Sequence, residues 1–500
     1  MPRVIEDRVR PLGWETFPAE QRFPLHTLDY LSTTCYIPHL FIFRLPGDKR
    51  EHAATIFRRG LERTIARVPT LVGTIEKDGN GGHSIVVKRD SSALYVSQYL
   101  DGADDTYPSM DELDKGNFLA PILGDARLLS NYPMIVANIP EAHPDNSPPM
   151  VSLKINYIRG GLIITLATHH YWNSLSGMLS FNELLSANCR HEAYGTPLPT
   201  FDPVALDRTT IDRYALEQLP APSEADMITA PPRSPGRNAA FRPSCSAMFH
   251  LPKSRGAQLK ALATPEEGWI STYDAVCGLL WRVLSRLREP VYSPGWDSLP
   301  VWAQSVSFHR IFKNPPLPAQ LQGNLHLDVN SLMPGFPALT LREVVHTAPL
   351  SRLATYMRHM TDGVDVKMLA DELQRHRGVR NKADLSINVD LYPPLANLVS
   401  DWRAADYCSM DFGFGKPVAW RVLMGRVALS QICVYAPRHG PAGADEGMEV
   451  LLTVEKELLP RLLGDEEWTR FFEYRGLDAW EGERPSEVPE RGQGAVKSKL

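Results

Sequence analysis

Two adjacent histidines, His169 and His170, end an apolar run (Leu162 to Thr168), and a helical pattern opens a few residues later. A strand that stops at an imidazole fixes the ring, while the loop after it leaves the ring reachable. A neutral histidine near pH 7 can take a proton from a hydroxyl or amine as that group attacks an electrophile. The same two rings could instead close the strand through hydrogen bonds, and the stretch alone admits both roles. A second stretch, Asp411-Phe412-Gly413-Phe414-Gly415-Lys416-Pro417, runs into Val418-Ala419-Trp420-Arg421-Val422. A phosphate cradle needs a helix after its glycines, and Pro417 with a strand-like run behind it removes that option. Two glycines flanking an aromatic read as a backbone turn packed closely on its neighbours.

Other chemistries lack their signatures. The chain has no G-x-S-x-G elbow, no G-x-x-x-x-G-K-[ST] loop and no G-x-G-x-x-G between a strand and a helix. The six cysteines form no C-x-x-C pair and no zinc-ligand spacing, so they read as packed, reduced thiols of a cytoplasmic protein, with no metal. Lys and Arg total 53 against 58 Asp and Glu, a net charge of −5, which argues against wrapping nucleic acid. The charged start, Met1 to Arg8, has no apolar signal region, and no window is long and apolar enough to cross a membrane.

These motifs need a frame. Five hundred residues exceed one usual core, so two domains are expected. Tyr36 to Leu45 reads as a strand, and Lys49 to Val68 as a helix with Ile56, Leu61, Ile65 and Val68 on one face. Gly73 to Val87 and Val151 to Thr168 read as hairpins, the latter ending at the histidines. Ser176 to His191 continues as a helix carrying Met178, Phe181, Leu184 and Leu185. Prolines, 42 in all, concentrate between 193 and 245, interrupted by the helix-like Ile211 to Leu219. Beyond it lie a strand at Ala247 to Leu251 and a helix capped by Ser271 or Thr272, with Asp274 at its positive end. Strand-like runs follow at Val301 to Phe308, Val418 to Val422, Arg426 to Tyr435 and Met448 to Val454. The expected division is 1–192, a crossover at 193–245, 246–485 carrying the glycine turn, and a disordered tail at 486–500.

The ordered set of motifs resembles the BAHD acyltransferases, most closely their fungal, trichothecene acetyltransferase-like branch. It comprises His169-His170, Ser271-Thr272-Tyr273-Asp274-Ala275, Arg310 with Asn314 to Pro318 and Gly323-Asn324, and Asp411 to Pro417. Pro24-Leu25 with Leu28-Asp29, Ser400-Asp401-Trp402, Gly447 to Val450 and Asp465 to Trp468 extend it over roughly residues 20 to 475. The resemblance implies an α/β fold like chloramphenicol acetyltransferase: two similar domains, each a mixed sheet flanked by helices. It also implies acyl-CoA as co-substrate with no bound cofactor, a small-molecule acceptor, and a monomer. His170 would be the general base in an interdomain tunnel, supported by His169. Asp411, Gly413 and Gly415 would form the structural turn. Trp172, Asn173 and Phe414 are candidates for the acceptor pocket.

One position departs from the family's pattern. The aspartate expected four residues after the base is Ser174, and Leu175 follows where a glycine is usual. Arg310 matches the arginine that would pair with that aspartate, so it is expected to lie by Ser174 without a counter-charge. The first functional reading is a CoA-dependent O- or N-acyltransferase of secondary metabolism. The alternative, motivated by Ser174, is a cyclase or pericyclase using the same tunnel without CoA.

Overall fold

In the computed structural model of the chain, the described residues are 2–482 apart from 80, 133–139, 216–222, 224–226, 230–236, 386–388, 439 and 441–443. The expected tail at 486–500 and much of the crossover lie outside them. Of the helix-like Ile211 to Leu219, the described part is the helix Thr210–Ala215.

Two mixed sheets dominate. The first orders β1 (Arg3–Val9), β6 (Ala93–Tyr99), β7 (Val151–Ile158), β8 (Gly161–His169), β3 (Tyr36–Arg44) and β13 (Ala419–Val422). The second orders β11 (His326–Asn330), β10 (Trp302–Ser307), β12 (Asn397–Trp402), β14 (Gln431–Tyr435), β15 (Met448–Glu455), β9 (Ser244–Leu251) and β16 (Glu473–Trp480). A small third sheet sets β5 (His83–Lys88) between β2 (Glu20–Pro24) and β4 (Thr74–Lys77).

Alternation along the strands explains how the layers meet. In β3, Phe41 and Phe43 join the central core, which packs the first sheet on its helices and also takes residues of the second sheet, while Leu40 and Ile42 join a smaller, separate cluster. In β14, Cys433 and Tyr435 enter that central core, whereas Ile432 and Val434 pack under the helices of the second sheet. The period of two places each strand's sides in different layers. Helices Arg50–Arg67 and Leu175–Tyr194 cover the first sheet, and Thr272–Tyr292 the second. The last of these starts as its sequence reads: Ser271 Oγ accepts from Asp274 N at 3.3 Å, and Asp274 Oδ2 accepts from Ser271 N at 2.7 Å.

The division by residue number needs one correction. The segment 246–485 does not stay in the second unit: β13 returns to the first sheet, pairing antiparallel with β3 from Ala419↔Ile42 to Val422↔His39. Its backbone groups satisfy the edge that β3 would otherwise expose. The run Arg426 to Tyr435 is also shorter than its pattern suggests, because Arg426 turns to Asp390 at 2.6 Å and Ser430 adopts a φ of 58° before β14 begins.

The turn feeding β13 is tightly built. Gly413 has a φ of 81°, and a Cβ there would lie 2.6 Å from the Cys189 carbonyl of the helix Leu175–Tyr194. Asp411 Oδ1 accepts from Gly413 N at 2.9 Å, and Arg190 donates to the Asp411 carbonyl at 2.9 Å. Gly413→Ala is therefore expected to cost at least about 1–3 kcal/mol of stability through strain and backbone contact. Denaturant unfolding measures it, and a native midpoint would contradict this packing.

Candidate active site

β8 ends at His169, and the following loop turns into a cavity of about 590 Å³ between the two sheets. The walls come from both halves: Ile37 and His39 on β3, His170, Asn173 and Ser174 on the loop, Met178 and Leu179 on the following helix. Trp420 and Val422 on β13 stand beside β3, and opposite them are Ser305 on β10, His326 and Asp328 on β11, and Asp401 on β12.

The two histidines separate cleanly. His169 is buried; its Nε2 donates to the Ala142 carbonyl at 2.7 Å and its Nδ1 accepts from Tyr171 N at 3.1 Å. Both nitrogens are thereby used, the tautomer is fixed, and the ring braces the loop. His170 lines the cavity, and its Nδ1 is buried without a partner from another residue among the described ones. Burial pushes its pKa down to about 4, with His326 acting in the same direction; its own carbonyl, Asp328 and Asn324 oppose the shift. The ring is neutral at pH 7 and free to accept a proton.

The loop carrying His170 is held by its backbone. Asn324 Nδ2 donates to the His170 carbonyl at 3.0 Å, Arg208 Nη1 to the Tyr171 carbonyl at 3.1 Å, and Arg208 Nη2 to the Trp172 carbonyl. Three successive carbonyls thus receive donors. Both donor side chains converge on Asp29, which pairs with Arg208 at 2.9 Å and accepts from Asn324 N and Nδ2 at 3.0 Å each. Next along, Asn173 Nδ2 donates to Gln322 at 2.7 Å, and its Oδ1 accepts from Gly323 N at 2.6 Å. Ser174 Oγ accepts from Leu325 N at 3.1 Å and donates to the Gly323 carbonyl at 3.4 Å.

Several expected placements change. Arg310 is exposed at the cavity mouth and makes no hydrogen bond to Ser174; the guanidinium bound to the histidine loop is Arg208. The reason is topological. The segment Asn314 to Asn324 meets the loop through its far end, Gly323-Asn324, while its near end is exposed. Trp172 is not a pocket residue: it is fully buried, donates to Thr70 at 3.0 Å and packs on Phe181. Phe414 likewise packs on Phe43, with centroids 4.9 Å apart, outside the cavity wall. Asn173 does line the cavity.

Sequence reasoning assigned no role to Asp29, Arg208, His39 or Asp328. Arg208 is one of several arginines in a proline-rich crossover, stands in no motif and gives no local signal. His39 follows from alternation along β3 once Phe41 and Phe43 are known to face the central core. Its ring lies parallel to Trp420 at 5.9 Å, and neither nitrogen has a partner among the described residues. Burial and the neighbouring His170 lower its pKa to about 3. The six cysteines are all buried. Among the described residues no cluster of three or more His, Cys, Asp or Glu could hold a metal, and no helix is long and apolar enough to cross a membrane.

Comparisons with known proteins bear on the family and the fold. A family model described as Trichothecene 3-O-acetyltransferase-like N-terminal domain matches residues 35–189, and one described as Transferase family matches 121–467. Acetyltransferase FGR3 of Gibberella zeae is 40% identical over 481 residues, covering 96% of this chain and 95% of that protein. Trichothecene 3-O-acetyltransferase TRI101 of Fusarium sporotrichioides is 24% identical over 83% of this chain and 88% of its own. Among solved structures, F. graminearum TRI101 complexed with coenzyme A and T-2 mycotoxin superposes with a TM-score of 0.73 at 22% identity, covering 91% of this chain and 100% of that one. Vinorine synthase gives 0.60 at 17% identity over 94% and 97%.

Acid should unfold the protein early. His169, like His170, is held down to about 4 by burial, and His39 to about 3. Unfolded imidazoles take protons near pH 6.5, so between about 6.5 and 4 the unfolded chain binds more protons and stability falls with pH. Above about 6.5 this contribution is complete and constant. Melting temperatures across that window check the sign; a level or rising value on acidification contradicts burial of the neutral rings.

Proposed function

The chain belongs to the Transferase family of BAHD-type acyltransferases and is itself an acyltransferase, and we propose that it moves an acyl group from coenzyme A to a hydroxyl or amine of a secondary metabolite, with His170 as general base. The observation that carries this is the neutral His170 ring on the wall of a cavity built from both sheets. With its proton on Nδ1, Nε2 keeps a lone pair for the acceptor.

The residues suggest the following course. An acceptor hydroxyl or amine gives its proton to His170 as its lone pair forms the bond to the thioester carbon. The carbonyl electrons move to oxygen, and their return expels the CoA sulfur, which takes the proton back from His170. Base catalysis of this kind is worth on the order of 10²–10⁴ in rate. Support for CoA as donor comes from relatives named as acetyltransferases and from the like-folded TRI101 structures that hold coenzyme A.

The cyclase alternative was motivated by Ser174 and Leu175 standing where the family has an aspartate and a glycine. The histidine loop is held on three carbonyls by Arg208 and Asn324, so Ser174 no longer argues for a change of reaction.

His170→Ala is expected to lose about 10²–10⁴ of the turnover of acetyl-CoA while melting like the native protein. Native turnover in that variant would remove His170 from the mechanism. The pH profile supplies a second check. The acid limb of kcat/KM should fall below the ordinary histidine range, toward the value of about 4 that burial gives His170. A limb at about 6.5 would point to a solvated base instead.

A further inference from the structure

The Asp29 carboxylate is almost fully buried, as are Arg208 and Asn324. It takes bonds from three places in the chain: His26 N at 2.9 Å, Arg208 at 2.9 Å, and the backbone and side chain of Asn324. From there two side chains reach the carbonyls of residues 170, 171 and 172. No carboxylate of the loop itself takes part.

We propose that Asp29, acting through Arg208 and Asn324, is the positioning residue that sets the His170 loop. The charge argument is direct. A buried guanidinium without a counter-charge is costly, and Asp29 supplies that charge from outside the loop. Asn324 is oriented by the same carboxylate, so the bond to the His170 carbonyl depends on it as well. Ser174 then needs only to be neutral: its hydroxyl serves Leu325 N and the Gly323 carbonyl.

The pair and the serine lie on two sides of one residue. Ser174 N donates to the Gly323 carbonyl at 3.1 Å, and a Cβ built on Gly323 would stand 3.6 Å from Arg208 Nη1 and 3.7 Å from Asp29 Oδ1. Gly323 also has a φ of 129°, which suits glycine. Arg208 keeps one buried donor, Nε, without a partner among the described residues. A carboxylate at position 174 is therefore placed to serve the same guanidinium, and the two acids are alternatives. With Asp29 present, a second one adds an uncompensated buried charge; with Asp29 neutralised, it replaces the lost partner.

A double-mutant cycle tests this. Asp29→Asn and Ser174→Asp are each expected to lower the melting temperature, and Asp29→Asn to lower turnover about 100-fold, the scale of a loop misplaced by about 1 Å. The double variant should regain most of both. Losses that simply add would overturn the proposal. Arg208→Lys decides the matter if the cycle variants fail to fold. It keeps a charge for Asp29 but gives up the planar fork that spans two carbonyls. Turnover of acetyl-CoA with water as acceptor, read as release of the CoA thiol, should fall about 100-fold with KM little changed. Native turnover in Arg208→Lys would sink the proposal. The inference rests on His170 as the base, and His170→Ala separates the two. A dead His170→Ala beside a fully active Arg208→Lys removes the positioning role alone, whereas an active His170→Ala, or a native protein that releases no thiol, removes the base and the positioning role together.

Discussion

A carboxylate and a guanidinium buried against each other, Asp29 and Arg208, tie together the parts of this molecule that must agree for its site to exist. Neither charge could remain there alone, because desolvating an unpaired ion costs several kcal/mol. Breaking such a pair typically costs about 3–5 kcal/mol, which is a large share of a protein's whole stability. The pair therefore forms only when the helix Thr27–Tyr30, the crossover and the segment ending at Asn324 are all in place. Those three pieces come from widely separated parts of the sequence, and they close around the loop that carries His170.

The cavity depends on a second agreement between the halves. β13 leaves the numbered second half, pairs with β3 and brings Trp420 and Val422 into the wall beside His39. The glycine turn before it packs on the helix that starts at Leu175, directly after the histidine loop. One wall is thus made of strands from both halves and the other of β10, β11 and β12, so opening the domains would dismantle the site.

Periodicity made much of this frame readable. The hairpin ending at the histidines, the helix after it and the capping box at Ser271 and Asp274 are local patterns, and their elements lie within a few residues of the expected positions. Partners were not readable in the same way. Arg310 carried the motif spacing yet sits at the rim, while Arg208 has no neighbouring signal and holds the loop. Motif spacing fixes where a residue lies along the chain; which buried charge it meets is settled by the crossover's path, which no local pattern records. Trp172 shows the converse, since an aromatic beside a reactive residue has more to gain from core packing than from a pocket.

The low pKa of His170 brings these threads together. Burial keeps the ring neutral, hence in the accepting form, but it also makes the imidazole a weaker base than one in water. In the proposed role of general base, a weaker base gives a smaller intrinsic driving force for proton transfer, and the shortfall must come from placement. Well-oriented groups can recover about 7–11 kcal/mol of a barrier by converting an encounter into a fixed contact. Under the proposed mechanism, precision in the loop is part of the chemistry. That gives a physical reason for three consecutive carbonyls to be occupied by donors, for His169 to spend both nitrogens as a brace, and for one buried carboxylate to anchor the arrangement from outside the loop.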